Sequence, residues 1–114
     1  PGRYKEAADR RGVIGRGGCK LLAETPANRF GVGSRKGRIA KGPDADVTVV
    51  DPNAEGAFDA SGRLSKARWS PYQGKKGKGK GLRTILRGKT IYADGKLLNN
   101  PGDGKFVPVS YKGV

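Results

Sequence analysis

Apolar residues along this chain come in short bursts separated by glycine and charge. Such a pattern predicts brief helical turns and short strands, with no long element of either kind. Residues 4–11 (YKEAADRR) favour a short helix, because Glu, Ala, Lys and Arg are good helix formers. Gly12 and Gly15 interrupt it, and Gly17 and Gly18 interrupt the next stretch, each at about 1 kcal/mol relative to alanine. Residues 19–30 (CKLLAETPANRF) predict a helical turn, a break around Thr25–Pro26 with Thr25 as N-cap, and a second turn opened by Pro26. Residues 31–43 predict a loop with at most a brief strand at 38–40. The β-branched run 46–51 (DVTVVD) is the clearest strand, closed by Pro52.

Residues 53–81 carry almost no periodic apolar signal and are expected to be a long loop, with a flexible Lys/Gly run at 74–81. Order is expected to return as a meander of three strands at 82–86, 89–92 and 96–98. The pairs Arg87-Gly88 and Asp94-Gly95 supply the positive φ that tight hairpin turns need. Residues 99–104 (NNPGDG) form a turn cluster, and 105–109 are expected to add a last short strand. No internal repeat is present. The fold class expected is mainly β with a short N-terminal helical part, a small partial β-sandwich or meander with long loops. It divides into a helical and loop segment at 1–32 and a small β domain at 33–114.

Composition narrows the function. The 114 residues include 24 Lys and Arg against 10 Asp and Glu, a formal net charge of +14 with no histidine. Leu, Ile, Val and Phe number 22, so the core must be thin and the composition touches the edge of disorder. The absence of histidine excludes a Ser-His-Asp triad, a Cys-His pair and every His-based metal site. The lone Cys19 excludes an internal disulfide and a cysteine-built zinc site. No apolar run approaches the roughly 20 residues of a membrane span, and no signal-peptide core is visible. A cytoplasmic chain with no membrane partner is expected. The charge is segmented: residues 1–42 and 63–114 are strongly basic, and 43–62 hold five acids and no base. Such a balance attracts polyanions at long range.

Candidate chemistry is sparse. Residues 12–20 (GVIGRGGCK) faintly resemble a phosphate-cradling loop. Cys19 separates glycine from Lys20, however, and Leu21 stands where a magnesium-binding hydroxyl is required, so a glycine-broken loop is the better reading. Cys19 lies between Arg16 and Lys20, which would lower its pKa, but it lacks a histidine base and reads better as a half-buried small hydrophobe. Asp44 and Asp46 place two carboxylates on one face of an extended segment. Nothing nearby completes a metal shell, and turn chemistry before a strand explains both. Trp69, Tyr72 and Tyr92 sit among bases, a mixture suited to stacking on single-stranded nucleic acid or to covering a thin core. Lys75, Lys76, Lys78, Lys80 and Arg83 are the candidate polyanion contacts. No catalytic, cofactor-binding or metal-binding residue is assigned.

Five collinear stretches resemble one family. Residues 25–32 (TPANRFGV) resemble the "NPARIFGL" segment of cyclic amidohydrolases: hydantoinases, dihydropyrimidinases, dihydroorotases and allantoinases. Residues 36–52 (KGRIAKGPDADVTVVDP) are similar to "KGTIAVGADADLVIVDP", and 65–74 (SKARWSPYQG) to "HSK…SPYEG". Residues 84–95 (TILRGKTIYADG) are similar to "TILRGRVVYEDG", and 101–107 (PGDGKFV) to "PGxGRFV". The resemblance implies a C-terminal segment lacking the metal-bearing barrel, in which residues 1–32 match the end of the barrel and the rest returns to a small sandwich. The family hydrolyses ring amide bonds with hydroxide activated by a divalent metal pair. Its histidines, carboxylated lysine and barrel aspartate have no counterpart here, so no cofactor is expected in this chain.

Departures from the pattern are Thr25 for asparagine, Leu64 where histidine is frequent, the GRGG of residues 15–18 for a helix, and KKGKGKG for an "LKGWPV"-like approach to the last hairpin. The implied function is a scaffold and assembly portion, inactive alone. The alternative is a small basic nucleic-acid-binding protein. Unpaired strand edges at 47–50 and 82–92 invite self-association or a partner chain that completes the sheet.

Overall fold

The computed structural model describes residues 15–64 and 66–110. The expected helix at 4–11 lies outside them. A continuous helical segment, α1, opens the described chain: α-helical Arg16–Cys19, π-helical Lys20–Glu24 and α-helical Thr25–Arg29. Gly17 and Gly18 therefore do not break the helix. The chain also does not break at Thr25, which keeps helical dihedrals and makes no capping bond. Pro26 has no N–H to give and its ring crowds the carbonyl four residues back. The widened π turn immediately before it accommodates both problems without ending the helix.

The helix ends at Gly31, which adopts φ +73. There the Val32 amide donates to the Ala27 carbonyl at 2.9 Å and the Gly31 amide to Asn28 at 3.3 Å. This paired closure depends on the left-handed conformation that glycine supplies. The loop after α1 folds back under it, where Gly37 sits at φ +89 against Ala27 and Ala23.

Four strands form one open antiparallel sheet in sequential order: β1 Val47–Ala57, β2 Lys76–Leu86, β3 Lys89–Ala93 and β4 Lys96–Leu97. Both predicted hairpin turns are present. Arg87 and Gly88, and likewise Asp94 and Gly95, all have positive φ, the geometry that matches strand twist in two-residue loops.

Three expectations are corrected. β1 does not stop at Pro52: the Asp51 carboxylate accepts from the Asn53 and Ala54 amides, looping out residues 52–54 so that pairing resumes at Glu55. On an edge strand a proline at such an irregularity interrupts no ladder bond to a second neighbour. That resumed half of β1 supplies backbone partners to the Lys/Gly run, so residues 76–81 are strand rather than loop, with Glu55, Gly56 and Ala57 opposite Lys78, Gly77 and Lys76. Ladder bonds use the main chain and need no apolar side chain, which is why periodicity does not reveal this strand. Residues 105–109 form no strand; the tail at 105–110 instead runs back to α1, where the Ser110 amide donates to Gly31 at 2.7 Å, while residues 31–43 are the loop expected, with no strand at 38–40.

The core is small. Among the described residues the buried hydrophobic side chains are Ala27 and Ala60, while Ile39, Leu64, Trp69 and Phe106 are each more than 70% exposed. The fold therefore rests on ladders, turns and polar ties more than on a packed interior. Gly37→Ala is expected to destabilise the chain by about 2–4 kcal/mol, because its Cβ would stand 2.5 Å from that of Ala27 in a left-handed conformation. Gly104→Ala, whose Cβ meets nothing within 4 Å, should change stability by no more than about 0.5 kcal/mol. Urea unfolding of both variants checks the difference.

Candidate functional site

Two arrangements gather the residues that carry charge. The first is a clasp where the loop after α1 meets the sheet. The Lys36 ammonium lies between two carboxylates, 2.8 Å from Asp44 Oδ2 and in direct contact with Asp46 Oδ2. Arg35 Nη2 donates to Asp44 Oδ2 at 2.9 Å, and the Asp44 amide donates to the Arg35 carbonyl at 2.8 Å. The other oxygen of Asp46 accepts from the Arg87 amide at 2.8 Å, and the Gly88 amide donates to the Ala45 carbonyl at 2.9 Å. Arg87 in turn donates through Nη2 to the Asp103 carbonyl at 2.6 Å, and Lys89 pairs with the Asp103 carboxylate at 3.2 Å.

Electrostatics mirror this geometry. Hydrogen bonds to Asp44 and then Asp46 hold Lys36 above the ordinary lysine range, against a smaller effect of burial. The Lys36 hydrogen bond is the main cause that keeps Asp44 below the usual carboxylate range. For Asp46, partial burial pushes upward, but the Lys36 hydrogen bond, the Arg87 amide and the Lys36 charge together outweigh it and the carboxyl is lowered. The two carboxylates do converge on one face, and what they hold is a lysine.

A divalent metal pair does not fit these residues. The sequence has no histidine, Asp44 and Asp46 are engaged by Lys36, Arg35 and Arg87, and among the described residues no three His, Cys, Asp or Glu side chains come together. Cys19 is exposed rather than half-buried, since α1 turns it outward. Residues 16–19 are helical, so the part of the glycine-rich stretch that is described is no phosphate loop.

The second arrangement is a basic face on β2. Lys76, Lys78 and Lys80 are exposed and alternate with half-buried Gly77, Gly79 and Gly81. A register shift between Val49 and Val50 adds one residue to β2 at Leu82, so Arg83 faces the same side as the lysines despite its odd number. The row Val49, Arg83, Ala93, Lys96 then carries this face across all four strands. Lys96 is a basic residue that sequence reasoning misses. The two-residue turn at Asp94-Gly95, which sets Ala93 opposite Lys96, is the signal that would have found it. Glu55 pairs with Lys78 at 3.2 Å, and Asp51 lies opposite Lys80.

Lys75 stands apart from this row, its ammonium 5.2 Å from the centre of the Tyr72 ring. Tyr72 meets Phe58 edge-to-face at 6.4 Å, and Arg63 lies 4.6 Å above Phe58. Phe58 also lines an open cleft of about 400 Å³ with Arg63, Arg68 and Trp69. Tyr92 is elsewhere, half-buried in β3 and paired with Thr84 on the opposite face of the sheet.

No protein-family model matches the chain. Curated relatives do. A dihydroorotase from Methanothermobacter thermautotrophicus is 40% identical over 94 residues, which is 82% of this chain and 21% of that protein. A D-hydantoinase from Ralstonia pickettii is 40% identical over 88 residues, 77% of this chain and 19% of that one. A solved D-hydantoinase structure superposes on 91% of this chain and 23% of its own, with TM-score 0.80 and 34% identity. The relatives are thus hydrolases of cyclic amides by name. The chain belongs to that cyclic amidohydrolase family as a segment, and it spans about a fifth of the length of the curated relatives it matches.

The clasp predicts a definite pH dependence. Lowered Asp44 and Asp46 contribute stability that is present above their unfolded pKa, about 3.9, and lost as pH falls through their folded values. Raised Lys36 contributes stability present below about 10.4 and lost as pH rises through its folded value. Lys36→Gln should therefore lower the melting temperature at neutral pH by roughly 4–8 °C. In circular-dichroism melts, the difference from the unmodified chain should shrink as pH falls below the unfolded carboxylate value and vanish once both folded carboxylates are protonated.

Proposed function

We propose that this chain is the non-catalytic scaffold and assembly segment of a cytoplasmic metal-dependent hydrolase of cyclic amides, inactive alone. The observation that carries this reading is the mismatch between a well-formed sheet and a nearly absent core. Leu97, Val49, Val50 and Leu82 on the strands, Leu21 and Leu22 on α1, and Phe30 at its C-terminal cap are all at least 40% exposed. Burying one such side chain contributes roughly 1.5–3 kcal/mol, so a covering polypeptide would stabilise this segment substantially. Among the described residues β1, with the expected edge at 47–50, and β4 each have a neighbour on one side only, where a partner strand can add. The edge expected at 82–92 is corrected: β2 lies between β1 and β3, and β3 between β2 and β4. The second support is chemical: with no histidine and with both clasp carboxylates committed, these residues do not generate a metal-activated nucleophile.

The partner is a second copy of the chain or a polypeptide bearing the barrel that the family resemblance implies. Purified chain is expected to open neither hydantoin, dihydrouracil, dihydroorotate nor allantoin rings, to bind no stoichiometric zinc or manganese, and to sediment above monomer mass. Ring opening by the chain with stoichiometric metal would overturn the proposal, and a strictly monomeric, stably folded chain would overturn its assembly part.

A further inference from the structure

We propose that the cationic face of β2 binds single-stranded nucleic acid, with Lys76, Lys78, Lys80 and Arg83 on the phosphates and Trp69 stacking on a base. This inference is independent of the hydrolase reading and rests on three features of the fold. The first is periodicity. Strand alternation sets Lys76 and Lys78 about 6.8 Å apart on one face, and Lys80 follows on the same face beyond Gly79, which takes φ +106. The extra residue at Leu82 then keeps Arg83 in that row, and the sheet register adds Lys96 on the same face two strands away, across Ala93. Regular spacing of cations along an extended backbone suits a linear polyanion better than a single compact phosphate.

The second feature is availability. Among the described residues Lys76, Lys80, Arg83 and Lys96 have no carboxylate within ion-pair distance. The one pair on this face, Lys78 with Glu55, joins side chains that are 56% and 75% exposed, so competing phosphates can displace it. Asp51, opposite Lys80, spends one carboxylate oxygen on the Asn53 and Ala54 amides.

The third feature distinguishes a nucleic acid from other polyanions. The ribbon of β1 and β2 ends at Ala57 opposite Lys76, and the next residues join through the Phe58 amide donating to the Lys75 carbonyl at 2.9 Å. The aromatic cleft therefore follows the end of the ribbon, with Phe58 and Lys75 one residue out of phase with Ala57 and Lys76, so a bound strand rounds that end to reach it. It offers Trp69, 72% exposed, beside Arg63 and Arg68, while Lys75 and Tyr72 stand at its approach. An exposed indole flanked by guanidinium groups stacks on bases of any identity, and an adjacent cationic track follows the backbone. A duplex hides its base faces and cannot use the indole.

The test is anisotropy of fluorescein-labelled oligouridylate with the full chain, as a function of salt, alongside a duplex of equal length and inorganic polyphosphate. Two variants of equal net charge separate a built face from diffuse attraction. One replaces Lys76, Lys78, Lys80 and Arg83 with Gln; the other replaces Lys20, Arg29, Lys41 and Lys105, all exposed elsewhere. The face variant should bind at least tenfold more weakly and lower the slope of log affinity against log salt by roughly 3, four contacts at about 0.7 each. The control variant should stay within threefold of the unmodified chain. Replacing the three face lysines with arginine should retain binding, which guards against a loss caused by misfolding. Oligouridylate should quench Trp69 fluorescence, and Trp69→Ala should weaken single-strand binding about tenfold. Equal losses in the two charge variants, preference for duplex, or polyphosphate binding as tightly as oligouridylate without Trp69 involvement would each overturn the proposal.

Discussion

One lysine joins the two halves of this chain. Lys36 lies just beyond the helical segment, and Asp44 and Asp46 lie just before the first strand, so their contact closes a ten-residue loop and fixes where the sheet begins. Asp46 extends the tie by accepting the Arg87 amide, which places the β2–β3 turn against the entry to β1. Removing the ammonium would leave two carboxylates facing each other across a partly desolvated space, a more severe loss than removing an exposed pair on the surface. In a domain with a large apolar interior such a clasp would be one contribution among many. Here the buried hydrophobic side chains described are two alanines, and polar closure carries a correspondingly larger share.

The same scarcity explains why the chain reads as part of something larger. A four-stranded sheet normally buries one face, yet among the described residues no apolar strand side chain here is fully buried, and Val49, Val50, Leu82 and Leu97 are at least 40% exposed. The row Thr48, Thr84, Tyr92, Leu97 lies on one face, and Val47, Val49 and Ile85 lie on the other. Relatives several times longer contain this fold with a TM-score of 0.80, so its geometry is kept in the company of additional polypeptide. Sheet order, turn type and the clasp are local properties and survive description of the segment by itself. What the segment by itself lacks is a packed core.

Legibility in the sequence divides along the same line between local and assembled properties. The two hairpins were legible because Arg87-Gly88 and Asp94-Gly95 specify their own turns, and the strand at 47–51 because its residues are β-branched. The family segments were legible as collinear text. The first half of β2 was not, because Lys76 to Gly81 contains no residue with strand propensity and becomes a strand only when β1 passes Pro52 and offers it a ladder. Thr25 misled for a related reason: the π turn just upstream absorbed the proline that should have ended the helix. The carboxylate pair was legible as a juxtaposition, but its occupant was not, since Lys36 is eight and ten residues away and reaches it only through the loop closed by Gly37.

β2 itself divides at Leu82. Beyond it, Thr84, Ile85 and Leu86 are half-buried and behave as part of a packed sheet. Before it, every second residue is glycine, and a Cβ built at Gly79 or Gly81 meets nothing within 4 Å, so the back of the ribbon has no packing to preserve. Where the family resemblance leads one to expect an apolar approach to the hairpin, this chain has cations facing water. Apolar docking of that half-strand is thereby weakened, while its backbone ladder with β1 is untouched. A half-strand whose lysine face is exposed, and whose backbone stays laddered to β1 on either side of Gly79, supports a row of charge facing water. The extra residue at Leu82 is the junction: it lets the packed half keep its apolar side chains in register while turning Arg83 onto the solvated row.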